Sequence, residues 1–243
     1  FRASNVFGDS LASLKSVIIG DETNFTRIGD YAICDCTGLT NVLMGARVFG
    51  IANSAFAHCS RLKSVTIPAN VTDIGDHAFT DCFGLTSLTL LNDLSNFRAS
   101  DVLGSSCDVL KSVVIGDAVT IVGSGAFFNC TGLTNVTIGA SVFEIGNNVF
   151  TGCPSLKNVT IPSSVTWIDP RAFIDCVGLT AINVNAANAN YWSDENGVLF
   201  NKSGSTLIQY PGGKTGSYTV PYGVTSIADS AFSRCIGLTS VTI

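Results

Sequence analysis

Charge is scarce in this 243-residue chain. Aspartate, glutamate, lysine and arginine together make up 13% of it, about half the usual share of a globular protein. Eighteen acidic and thirteen basic residues give a net charge of −5. No basic face is expected for a phosphate backbone, which argues against a nucleic-acid partner. Histidine is scarcer still, with only His58 and His77. A nucleophile–base pair needs a histidine beside a serine or thiol, with a third group to orient it. His58 precedes Cys59, but adjacent residues should point opposite ways, so both histidines are expected on solvated surface. No uninterrupted apolar run reaches the ~18–20 residues of a membrane span, so no insertion is expected within this segment. Nothing here calls for a cofactor, and no enzyme is expected.

What is abundant is regular. Apolar residues make up 46% of the chain, and there are twenty-four glycines and nine cysteines. Laid against itself, the chain shows a 23-residue period, the signature of a stacked-repeat architecture. The units open at Leu14, Leu39, Leu62, Leu85, Leu110, Leu133, Leu156, Leu179 and Leu238. Apolar residues follow three and five positions on, as in Val65 and Ile67. A second apolar pair comes next, as in Val71 and Ile74, then Ala-Phe, and a cysteine three residues before the next leucine. Phe1-Arg2-Ala3-Ser4 recurs as Phe97-Arg98-Ala99-Ser100, which suggests a duplicated block of four units.

Each unit reads as a short strand, stopped by proline or glycine as at Pro68, Pro162 and Gly139. A second short extended piece forms the return side. Asp30, Asn53, Asp76, Ser124, Asn147 and Asp229 precede Ala-Phe and suit an N-cap, so the pattern predicts one helical turn there. Asp169-Pro170 does the same job with proline at the first helical position. A lone unit cannot bury enough apolar surface to offset its own ordering, so stability must come from stacking.

The unit Leu-x-x-Val-x-Ile-Pro-x-x-Val-x-x-Ile-Gly-x-x-Ala-Phe-x-x-Cys, followed nearly throughout by Leu62 to Gly84, resembles the BspA-type leucine-rich repeat. The resemblance covers essentially the whole chain. It implies a leucine-rich-repeat solenoid with a curved, right-handed stack of short strands and one helical turn per repeat. It also implies a secreted or cell-surface protein without common catalytic residues. Adhesion, or binding of an extracellular protein or glycan, is the expected function. The alternative is a structural spacer, or a subunit that stacks on itself end to end. The expected layout is one solenoid over 1–243, with partial units at 1–13 and 238–243 and full units from 14 to 237. Both ends fall inside a unit, so a segment of a longer array is expected.

Three groups of residues are candidates. The cysteines keep the repeat period, and their inward slot predicts a ladder of reduced, buried thiols. Cys34-x-Cys36 departs from that spacing, but as a metal pair it lacks a second half, because zinc wants four ligands, and no metal is expected. The outward strand positions form the second group: Lys63, Ser64, Thr66, Lys111, Asn135, Thr137, Lys157, Asn158 and Thr160. Stacked, they make a hydroxyl-and-amide face edged by lysines. It is either a recognition surface or what exposed strands simply favour. The third group is an inserted hairpin over about 185–214, with Lys202-Ser203-Gly204-Ser205 as its turn. Its Tyr191, Trp192 and Tyr210 are either exposed interface anchors or cover for the solenoid flank. Val224, Ile227, Ala231, Phe232 and Cys235 resume the pattern afterwards, which predicts an appendage.

Overall fold

The computed structural model describes residues 12–20, 26–93 and 95–243. Most of the partial unit 1–13, including Phe1-Arg2-Ala3-Ser4, lies outside the described residues. The chain is a β-solenoid of about ten turns. The predicted strands form its first face. Ser64–Ile67, Ser87–Leu90, Ser112–Ile115 and Asn135–Thr137 make one parallel four-stranded sheet, in the register Ser64↔Ser87↔Ser112↔Asn135. Ser16–Ile19 pairs with Asn41–Met44 before it, and Asn158–Ile161 with Ala181–Val184 after it. Within each strand exposed and buried residues alternate, because successive side chains point to opposite faces. The return face is built from shorter pairs such as Gly50↔Asp73 and Glu144↔Trp167.

The units alternate in a pattern of two. Gly38, Gly84, Gly132 and Gly178 precede every second opening leucine. A side chain there would collide with the preceding unit: a Cβ on Gly132 would lie 2.1 Å from the Asp108 carbonyl oxygen. In the units that carry this glycine, threonine follows the leucine. Its hydroxyl donates to the lysine carbonyl of the unit before, as from Thr40 to Lys15, Thr134 to Lys111 and Thr180 to Lys157, at 2.9–3.0 Å.

The Ala-Phe-x-x-Cys stretch departs from the expected helical turn. Among the described residues an α-helix occurs once, at Ala99–Leu103, followed by the 3-10 segment Gly104–Asp108. Elsewhere alternate amides cross to the next unit: Ser54, Phe56 and His58 donate to Asp76, Ala78 and Thr80. The amides between them turn back, Ala55 to Ala52 and Ala57 to Ser54. Most units therefore hold two residues at positive φ, such as Ser54 at 53° and His58 at 62°; the unit with Pro170 holds one, Asp175. Aspartate, asparagine and histidine tolerate that conformation best, and they recur there as His77, Asp81, Asn129, Asn148 and Asp175. The expected caps bridge units instead: Asp30 Oδ1 accepts from the Asn53 amide, and Asn53 Oδ1 from that of Asp76. Asp169 makes the cap-like contact, accepting from the Arg171 amide at 2.8 Å, but a turn and not a helix follows it.

Between the faces a core runs continuously from the first described units to the unit opening at Leu179. The opening leucines from Leu39 to Leu179 are fully buried. The phenylalanines stack ring on ring: Phe56 on Phe79 at 5.0 Å, then Phe127 on Phe150 and Phe150 on Phe173 at 5.7 Å.

The long stretch after Leu179 is not an appendage. Tyr191–Ser193, Leu199–Asn201 and Thr206–Gln209 form the hairpin, and Thr206–Gln209 pairs in parallel with Ser226–Ile227. The hairpin also closes the open edge of the preceding unit. Ile182 donates its amide to the Gly197 carbonyl, and Val184 to Ser193 Oγ. A second core of Val198, Phe200, Leu207, Tyr210, Tyr218 and Val220 gathers here. The sequence hid this because the hairpin replaces the inward leucine with residues of another register.

Candidate binding surface

The strand face places Lys63, Ser64, Thr66, Lys111, Asn135, Thr137, Lys157, Asn158 and Thr160 in solvent. Ser64 and Asn135 share one hydrogen-bonded column, and so do Thr66 and Thr137. Neighbouring rungs lie about 4.8 Å apart. Lys15, Lys63, Lys111 and Lys157 stand on every second unit, so the lysine row repeats at about 9.6 Å. The face is not uniformly polar. Ile18 and Leu43 occupy the threonine column in the first units, 72% and 56% exposed. The backbone beneath is held by ladders on either side, so these side chains are presented on a rigid support.

The hairpin aromatics divide. Tyr191 and Tyr210 are 7% and 1% exposed, so neither can anchor a partner. The Tyr191 hydroxyl accepts from the Ile168 amide at 3.0 Å and donates to the Thr166 carbonyl. It stands in for the strand that the return face lacks at that point. Tyr210 packs between Tyr218 and Phe232. Burial disfavours the phenolate and so holds both hydroxyls above the usual tyrosine range. Trp192 alone of the three is half-exposed, stacked on Phe200 at 4.9 Å.

One recess was not legible in the sequence. Where the unit opening at Leu85 runs to 25 residues, a hollow of about 400 Å³ opens beside Phe97, Arg98, Asp76, Asp93 and Asp101. The buried Asn92 Oδ1 in its wall has no hydrogen-bond partner.

The thiol ladder needs one correction. Cys107 and Cys130 are joined by a disulfide between neighbouring units. In five other rungs the thiol donates to a carbonyl about one unit upstream, as from Cys82 to Phe56, Cys153 to Phe127 and Cys176 to Phe150. At the same offset from Cys130 stands Gly104, which opens the 3-10 segment, and there the sulfur is bonded to Cys107 instead. Cys36, Cys59, Cys82, Cys153 and Cys176 are buried without a disulfide. Burial first, then the Asp35 charge, pushes Cys36 up to about 11. Burial likewise pushes Cys176 up to about 12. Alkylation at mildly alkaline pH should therefore reach at most Cys34 and Cys235 in the folded protein. After denaturation seven thiols should react, and nine only after reduction. Intact mass reads each count, and nine labels without reduction would contradict the disulfide. These raised values also set a stability window. The thiols ionise near 9.0 when unfolded, so their contribution is full below that pH and is lost as the pH rises towards 11–12.

The family model of the BspA-type leucine-rich repeat region matches six copies, over residues 3–103, 101–195 and 209–243. The chain belongs to this family. No curated protein matches it significantly. The BspA-type chain is similar in structure to a leucine-rich cell surface protein from Faecalibacterium prausnitzii, with a TM-score of 0.63 and 29% identity. That match covers 95% of this chain and 69% of the other. A leucine-rich-repeat protein from Eubacterium ventriosum matches at 0.54 and 26%, over 94% and 53%. The pneumococcal vaccine antigen PcpA shares the fold at 0.59 and 19%, over 94% and 60%. The chain thus spans about half to two thirds of the length of these proteins. BspA-type repeats share a scaffold rather than a reaction, so function must be argued from what the scaffold presents.

Proposed function

We propose that this BspA-type chain is a non-catalytic, surface-displayed binding module whose strand face engages an extracellular protein or glycan. The observation that carries this is the in-register polar column Ser64, Ser87, Ser112 and Asn135, with the exposed Lys63 and Lys111 beside it. Groups already ordered by the core lose little entropy on binding. The lysine row favours an acidic partner. The Cys107–Cys130 disulfide suits an oxidising, extracellular compartment, and the F. prausnitzii relative is described as a cell surface protein. Trp192 offers a smaller apolar contact on the hairpin side.

A glycan and matrix-protein array at two salt concentrations tests this reading. Wild type is compared with a Lys63/Lys111/Lys157→Ala variant and a Trp192→Ala variant. The lysine variant should lose about tenfold or more of the low-salt binding, because exposed charges act through a screened field, while Trp192→Ala should change it little. Equal binding by all three proteins would place the site elsewhere. End-to-end assembly of the chain with no ligand bound would favour a structural spacer.

A further inference from the structure

Cys34, Asp35 and His58 come from neighbouring units, and each contributes one ligand-type atom to a group lying within 4.8 Å of one another. The second half that Cys34-x-Cys36 lacks in sequence is thus supplied across the stack, by a histidine one rung away. Cys36 points into the core, whereas Cys34 is half-buried at the surface with its Sγ 3.3 Å from Asp35 Oδ2. The backbone holds the arrangement. Asp35 and His58 occupy equivalent positive-φ positions, at 63° and 62°. The Asp35 and His58 amides donate to Ala57 and Thr80, which pins both turns to the next rung.

The imidazole is also oriented from the other side. His58 Nδ1 lies 3.2 Å from Asp81 Oδ2, and Asp81 Oδ1 accepts a hydrogen bond from Ser105 Oγ at 2.5 Å. A histidine held by a carboxylate through one ring nitrogen is the usual outer support of a metal ligand. One thiolate, one imidazole and one carboxylate form a borderline-soft donor set, which suits zinc and leaves a fourth position open.

We propose that Cys34, Asp35 and His58 bind a zinc-type divalent metal ion across two repeats, with Asp81 as the positioning residue for His58. On binding, the Cys34 thiol proton passes to solvent as the metal–sulfur bond forms. The ion clamps one rung to the next at the surface, a role distinct from that of the strand face.

Cobalt titration of the full chain tests this, because a cobalt-bound thiolate gives a charge-transfer band that zinc bleaches. One equivalent of Co2+ should produce the band, and one equivalent of Zn2+ should remove it. Cys34→Ser should abolish it. His58→Asn, which keeps a residue suited to positive φ, and Asp81→Asn should each weaken binding by about tenfold or more. Cys235→Ser, at the far end of the stack, should leave it intact. Metal-free melting curves establish that each variant is folded. No band in the wild type, a band surviving in Cys34→Ser, or wild-type affinity in His58→Asn would each overturn the site.

Discussion

Aspartate in place of Phe127 is expected to unfold the units on both sides of it. The ring is fully buried, between Phe97 and Phe150 at 5.7 Å each. Removing such a ring costs about 3–5 kcal/mol through lost transfer energy and the cavity left behind. The new carboxylate would face apolar side chains, and an unpaired buried charge costs several kcal/mol more. The sum rivals the roughly 5–15 kcal/mol that holds a whole domain together. Nearest-neighbour coupling carries the damage along the stack. Phe128 supplies the control, because it is next in sequence but exposed. Phe128→Asp should shift stability by no more than about 0.5 kcal/mol. Circular-dichroism melting reads both. An unchanged melting temperature for Phe127→Asp would contradict the inward phase of the whole phenylalanine column.

Replacing residues 186–213 with a short turn should destroy the order of the chain that follows. The excised segment contains Tyr191, whose hydroxyl closes the return strand at Ile168. It contains Ser193 and Gly197, which cap the edge at Val184 and Ile182. It also removes Val198, Phe200, Leu207 and Tyr210, leaving Tyr218 and Val220 with little to pack against. Hydrogen exchange would report the loss. The Tyr218 and Val220 amides, now in or bonded to the parallel pair with Leu238–Thr242, should exchange at the rate of an open chain. Retained protection there would mean that the hairpin only decorates a stack that continues without it.

Much of this is legible in the sequence, because the repeat states each side chain's direction several times over. Val65 and Ile67 fall inward, and Ser64 and Thr66 outward, as period-2 alternation requires. What was not legible lies where the backbone leaves the common forms. Aspartate or asparagine before Ala-Phe looks like a cap in a single unit. Its real partner is an amide 23 residues away, as for Asn53 and Asp76. The disulfide was hidden for a related reason: Cys107 and Cys130 are 23 residues apart, as are Cys59 and Cys82 or Cys153 and Cys176, so spacing alone does not single them out. For Tyr191 and Tyr210 the sequence leaves anchor and flank cover open, because an insertion has no repeat phase to state direction; their burial decides for cover. The Tyr191 hydroxyl stands in for a missing rung at Ile168, and the Tyr210 ring packs between Tyr218 and Phe232. The approach of His58 to Cys34 and Asp35 depends on stacking, and no motif along the chain records it.

The claim that the strand face is the binding surface is tested most directly by comparing two triple variants against the strongest ligand from the array. One carries Thr66, Thr137 and Thr160→Glu on the strand face. The other carries Thr72, Thr120 and Thr166→Glu on the return side, where the side chains are also exposed. Both add three negative charges, so net charge cannot separate them. Binding should fall by about tenfold or more for the strand-face variant, since like charges facing an acidic partner cost several kcal/mol. It should stay near wild type for the return-side variant. The reverse outcome, or an equal loss in both, would contradict the assignment of the strand face.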